Sequence, residues 1–168
     1  TEVYVSPTFS ALLSDGTRVD VPRASGFRTM TVFAEPAGTE ALYVGSFATP
    51  ALPLIGARIL RSTDGREFTE VPLNFPKSER YSSFRSLTVY KDRLYMLGHS
   101  SDPEAPDVLE AADPARSGFR GVSEPGFGDP ANAGAFELEV FAGYLYVGTF
   151  GATDGFQLLK TQAAGEPP

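Results

Sequence analysis

Apolar and polar positions alternate along three separate stretches of this chain, with the two-residue period of a β-strand. The first reads Arg28-Thr-Met-Thr-Val-Phe33 and, after a turn, Leu42-Tyr-Val-Gly-Ser46. It returns as Arg85-Ser-Leu-Thr-Val-Tyr90 with Leu94-Tyr-Met-Leu-Gly98, and again as Phe136-Glu-Leu-Glu-Val-Phe141 with Leu145-Tyr-Val-Gly-Thr149. No stretch fits a 3.6-residue period better, so the pattern predicts no amphipathic helix.

Shorter apolar runs follow each of these strand pairs. Strands over 28–33, 41–47, 57–62 and 67–73 predict one unit, residues 27–83. Strands over 85–90, 93–98, 107–111 and 118–122 predict a second, 84–134. Strands over 136–141, 144–150 and 156–161 begin a third, 135–168, which lacks its fourth strand. Residues 1–26 read as the tail of an earlier unit: 1–6 alternate, and 11–22 form two short strands about Asp15-Gly16. Asp-Gly between apolar runs marks a tight turn, because glycine accepts the positive φ it demands. Landmarks set the period: Tyr43, Tyr95 and Tyr146 are 52 and 51 apart, and Asp15, Asp64 and Asp113 are 49 and 49 apart. Four short strands per unit and a repeat near 50 predict an all-β fold, a partial β-propeller with four-stranded antiparallel blades.

One turn carries a family resemblance. Arg61-Ser-Thr-Asp-Gly-Arg-Glu-Phe68 resembles the Asp box of BNR-repeat, sialidase-like propellers of bacteria. There a Ser, an Asp, a Gly and an aromatic residue staple the turn between the two outer strands. The other copies depart from it: Ser14-Asp15-Gly16 lacks the aromatic, Asp113 precedes Pro114, and Thr161-Gln-Ala-Ala-Gly165 has no Asp. The box is structural in that family, so the resemblance implies a fold and leaves the activity open. Asp15, Asp64 and Asp113 are expected as turn staples, with Asp64 accepting N–H groups of its own turn.

Composition narrows the function classes. The 168 residues include 42% hydrophobic and 21% charged side chains, as a folded protein requires. A net charge of −7 argues against nucleic acid and against an anionic membrane surface. With no cysteine there is no disulfide, thiol nucleophile or thiolate metal site, and no apolar run is long enough to insert in a membrane. An acidic, Pro/Gly-rich, cysteine-free chain suits an extracytoplasmic or secreted protein. Two full blades flanked by incomplete ones predict about half a ring, because open blade edges and faces are avoided. The partner expected is a second propeller section, from another chain, a symmetry mate or the rest of a longer polypeptide.

Propeller ligands bind where loops converge on the axis. Arg28, Arg85 and Phe136 stand at equivalent starts of innermost strands, and Phe75, Tyr81 and Phe127 fall in loops on the same presumed face. These aromatics either stack on sugar rings or cover the blade tops. His99 lies in a polar loop beside Ser100, Ser101 and Asp102 and reads as a solvated loop residue, with a general base or lone ligand as the alternative; as the one histidine it excludes a multi-histidine metal centre in this chain. Asp102, Glu104 and Asp107 could offer oxygens to a calcium ion, but they are interrupted by Pro103 and Pro106 and match no calcium loop, so they read as a charged, solvated loop. No metal or cofactor is expected. A sialidase-like activity, implied by the resemblance alone, needs a carboxylate-binding arginine cluster, a Tyr/Glu nucleophile pair and an acid. Arg28 and Arg85 fit the first requirement, or else each braces its own blade, and no nucleophile pair is visible. The expected function is a non-catalytic binding or assembly module with its ligand near the central channel. The alternatives are a glycoside hydrolase completed by residues outside this chain, and a lectin formed by self-associating half-rings.

Overall fold

The computed structural model describes residues 10–12, 15–20, 26–48, 57–74, 78–151 and 155–162. Strands β1 (Ser10–Leu12) and β2 (Arg18–Asp20) form a hairpin about Asp15-Gly16. The first blade follows as β3 (Gly26–Ala34), β4 (Glu40–Phe47), β5 (Ile59–Ser62) and β6 (Phe68–Glu70), each antiparallel to the one before. The second comprises β7 (Tyr81–Tyr90), β8 (Arg93–Ser100), β9 (Val108–Ala111) and β10 (Arg120–Gly121). The third comprises β11 (Asn132–Phe141), β12 (Tyr144–Gly151) and β13 (Leu158–Lys160). The architecture is an all-β partial β-propeller. The β1–β2 hairpin lies at the rim of the first blade, where β1 runs parallel to β6 and takes up its free edge.

Local chemistry accounts for the hairpins. The second and third blades turn on two residues with positive φ, Lys91 and Asp92 at 48° and 58°, Ala142 and Gly143 at 50° and 83°. Such turns match the right-handed strand twist. The one α-helix among the described residues is a single turn, α1 (Pro114–Ser117), with Asp113 as its N-cap.

Strand alternation sorts each blade into two faces. In the first blade Phe33, Tyr43 and Ile59 pack against Leu87, Leu94, Met96 and Leu109 of the second. In the second, Tyr90, Leu97 and Val108 pack against Leu138, Leu145 and Val147 of the third. Each blade therefore sets a forward face of mixed aromatic and aliphatic side chains against an aliphatic backward face of the next. A hydrogen bond repeats with them: Leu87 N donates to Thr29 Oγ1 at 3.0 Å, and Leu138 N donates to Ser86 Oγ at 3.1 Å. Thr29 and Ser86 hold equivalent places in β3 and β7, so the two blade-to-blade contacts are versions of one interface.

Candidate functional site

The innermost strand of every blade slips register by one residue at the same place. Arg28 falls between the pairs Phe27↔Ser46 and Thr29↔Gly45. Arg85 falls between Phe84↔Gly98 and Ser86↔Leu97, and Phe136 between Ala135↔Thr149 and Glu137↔Gly148. A bulge takes its extra residue out of the ladder and re-aims the side chain. Three equivalent bulges thus turn out Arg28, Arg85 and Phe136, which lie inside the inner strands and not at their starts, because the strands begin earlier, at Gly26, Tyr81 and Asn132.

They gather on one side of the sheet. The Arg85 guanidinium lies 4.3 Å from the Phe136 ring centroid, and that ring packs 4.9 Å from Phe150. Arg28 lies over Phe47 at 5.2 Å. Arg85 Nη1 donates to Ala135 O at 3.1 Å, which braces the next blade, while its Nε is buried with no acceptor. Ser83 Oγ is likewise buried without a partner, and Ser83 stands opposite His99 across the β7–β8 ladder. No ion pair among the described residues includes Arg28 or Arg85.

His99 corrects an expectation. It belongs to no solvated loop, because β8 continues past Gly98 to Ser100 and leaves the ring half-buried in the strand. Burial first, then the charges of Arg85 and Arg28, hold its pKa below the ordinary imidazole value. Burial and the Arg28 charge also lower the pKa of Arg85. Gly134 makes the space between them. A Cβ there would stand 3.5 Å from His99 Nδ1, 3.6 Å from Arg85 Nη1 and 3.3 Å from the Phe150 ring.

A cavity of about 500 Å³ adjoins this cationic corner, lined by His99, Asp102, Asp107, Gly126 and Asn132 among others. Asp107 accepts from Gly126 N at 2.8 Å, and burial pushes its carboxyl pKa up against the pull of that bond and of Arg85. Asp102 is buried, accepting from Arg80 at 3.1 Å and from Glu104 N at 3.0 Å. The run from Asp102 to Asp107 is therefore a braced wall, where the sequence suggested a charged loop in water. Among the described residues no group of three or more His, Asp or Glu is placed to hold a metal ion.

One of the expected loop aromatics lies elsewhere. Tyr81 is in β7 and buried, stacked on Phe84 at 5.6 Å with its hydroxyl donating to Pro106 O at 2.5 Å. Its ring covers Gly98, whose missing side chain admits it. Phe127, at φ 57° in the 3-10 turn Pro125–Gly128, packs half-buried on the second core. Phe75 lies outside the described residues. Of the turn aspartates, Asp64 Oδ1 accepts from Arg66 N at 2.8 Å, Glu67 N at 2.9 Å and Ser62 Oγ at 3.0 Å. Asp15 Oδ1 accepts from Thr17 N, and Asp113 Oδ1 from Arg116 N. Ser83 and Gly134 escaped the sequence reading. A glycine two residues before a strand-like run is the one signal that pointed to a bulge or close approach at 134.

No protein-family model and no curated protein matches the chain. A solved structure described as "Bacteroides ovatus Xyloglucan PUL GH43B" is similar, with a TM-score of 0.50 and 13% sequence identity. The likeness covers 84% of this chain and 29% of that one, so the chain spans under a third of its length. At that identity the likeness is one of fold: this chain resembles a section of a β-propeller.

Proposed function

We propose that this chain is a non-catalytic propeller section that binds a carboxylate-bearing saccharide at the channel end of its inner strands. One observation carries the reading: Arg28, Arg85 and His99 converge there, neither arginine is ion-paired among the described residues, and Arg85 Nε is buried without an acceptor. The half-buried Arg85 guanidinium, with Nη1 on Ala135 O and Nε without an acceptor, is a group that a carboxylate's two oxygens can match. The half-exposed Phe136 beside it offers a face for a sugar ring. The named solved structure comes from a xyloglucan locus, which supports a carbohydrate ligand without specifying acid or neutral. The Asp64 turn, with three donors on one carboxylate oxygen, supports kinship with Asp-box repeats as part of the same reading.

Calorimetric titration with glucuronate, galacturonate and N-acetylneuraminate, with xyloglucan oligosaccharides as neutral controls, tests this. Binding of an acidic sugar is expected, weakened roughly tenfold or more in Arg85→Ala, the loss of a charge-assisted hydrogen bond. Equal affinity for neutral sugars, or an unchanged Arg85→Ala, would overturn the reading. The pH dependence has a definite sign. Burial first, then its two cationic neighbours, lower the pKa of free His99, and a bound anion relieves the cationic part of that shift and raises the pKa. Protons and ligand then bind together, so affinity should rise as pH falls below the ordinary histidine range. His99→Gln should flatten that slope.

A second reading, a glycoside hydrolase completed by residues outside this chain, draws on Asp107, a cavity-wall carboxyl whose raised pKa suits a general acid. Release of sugar from a chromogenic glycoside, abolished in Asp107→Asn, would favour it over binding alone. Absence of turnover in the assembled protein would dismiss it.

A further inference from the structure

We infer that the forward face of the third blade docks on the backward face of the first blade of a second copy, head to tail. This goes beyond the ligand site and does not depend on it. The two contacts inside the chain define what such a face needs. Phe33 and Tyr90 hold the place of Phe141, and Ile59 and Val108 hold the place of Leu158, by strand register. The four are buried at 2%, 8%, 0% and 6% exposure, whereas Phe141 and Leu158 are each 70% exposed. Phe141 also packs its ring 6.4 Å from Tyr146, which takes the place of Tyr43 and Tyr95. The third blade thus carries the forward half of an interface whose other half is missing.

The first blade carries that other half. Its backward positions Met30, Val32, Leu42, Val44 and Leu60 correspond in register to Leu138, Val140, Leu145, Val147 and Leu159. Both sets are wholly aliphatic. Met30 is 61% exposed and Val32 56%, while Leu138, the equivalent of Met30, is 2%; Val44 and Leu60 are already buried in a cluster with Phe68, so Met30 and Val32 are the part of this face open to a partner. The repeated hydrogen bond does not extend to this face: Glu137, in the place of Thr29 and Ser86, accepts from Ser86 Oγ of the second blade at 2.6 Å. A second copy is the occupant that fits by repeat equivalence: its first blade offers the exposed Met30, in the place that Leu87 and Leu138 take in the two contacts inside the chain, with Val32 beside it. Because the two patches differ, the contact is heterologous, and it closes into a ring or propagates according to its rotation.

Sedimentation over a range of protein concentrations tests the assignment. The wild-type chain is expected to exceed its 18.0 kDa monomer mass as concentration rises. Phe141→Glu and Met30→Glu should each weaken association at least roughly thirtyfold, as the loss of a central hydrophobic anchor does. Both sites are exposed, so the melting temperature of the isolated chain should barely change. Mixing the two variants gives the decisive readout: each retains the patch the other lacks, so a head-to-tail pair should re-form with one intact contact. A monomer at every concentration would overturn the proposal. Unchanged association in the variants, or no recovery on mixing, would overturn it as well.

Discussion

Glu35→Ala is expected to destabilise the protein by about 3–5 kcal/mol, the range for breaking a buried ion pair from one side. Glu35 sits in the turn after β3, buried, and accepts from Arg61 Nε at 2.5 Å, Arg61 Nη2 at 2.8 Å and the Tyr43 hydroxyl at 2.5 Å. Removing the carboxylate leaves a mostly buried guanidinium and a fully buried phenol with nothing to bond to. The same cluster makes stability depend on pH. The hydrogen bonds from Arg61 hold the Glu35 pKa below its ordinary value, opposed by burial and helped by Tyr43. A depressed carboxyl contributes its full stabilisation above the unfolded value and loses it as pH falls through the folded one. Urea unfolding of the wild type should therefore weaken on acidification below about pH 4.5, the ordinary glutamate range. In Glu35→Ala that part of the acid sensitivity should disappear. The double variant Glu35→Leu/Arg61→Met should be more stable than Glu35→Ala alone, because it leaves no uncompensated charge. A single variant costing less than about 1 kcal/mol would mean that water satisfies Arg61 and Tyr43 and that the cluster is not a structural linchpin.

Phe84→Ala should cost a similar amount, about 3–5 kcal/mol by the precedent of buried aromatic truncations. Phe84 has no exposed surface, stacks on Tyr81 and lies over Gly45 of the preceding blade. A cavity there opens at the junction of two blades, where Tyr81 cannot follow because Gly98 and Pro106 fix its ring and hydroxyl. Phe84 also precedes the bulge residue Arg85 in β7, so a relaxed backbone would mis-aim the guanidinium. The expected result is therefore two losses together, in urea midpoint and in ligand affinity, with Phe84→Leu recovering most of both. Lost stability with affinity intact would show that the bulge is held by other contacts.

The inner strands were plain in the sequence because their periodicity is local. Arg28 to Phe33 alternates whether or not the rest of the chain is known, and its two echoes supply the period. The outer strands were predicted too long: residues 118–122 were expected as a strand, but only Arg120–Gly121 pair as β10. Rim strands bury little, so they carry little pattern. The site was half visible. The equivalence of Arg28, Arg85 and Phe136 follows from alignment of the repeats, but bulges do not announce themselves by residue type, and direction decides what those side chains meet. Tyr81 shows the opposite failure. An aromatic after a polar run reads as a loop residue, yet β7 begins there because Gly98 across the ladder leaves room for the ring.

Sequence by itself determined the blade: the strand period, the tight turns and the repeat length. All of these are set by neighbours along the chain or by their recurrence. Tertiary structure alone decided that His99 enters a strand, that Gly134 clears the space between His99 and Arg85, and that Arg85 Nε is left buried with an open donor. Those facts depend on residues about 35 to 50 positions apart brought together by blade packing, and no local pattern encodes such a meeting.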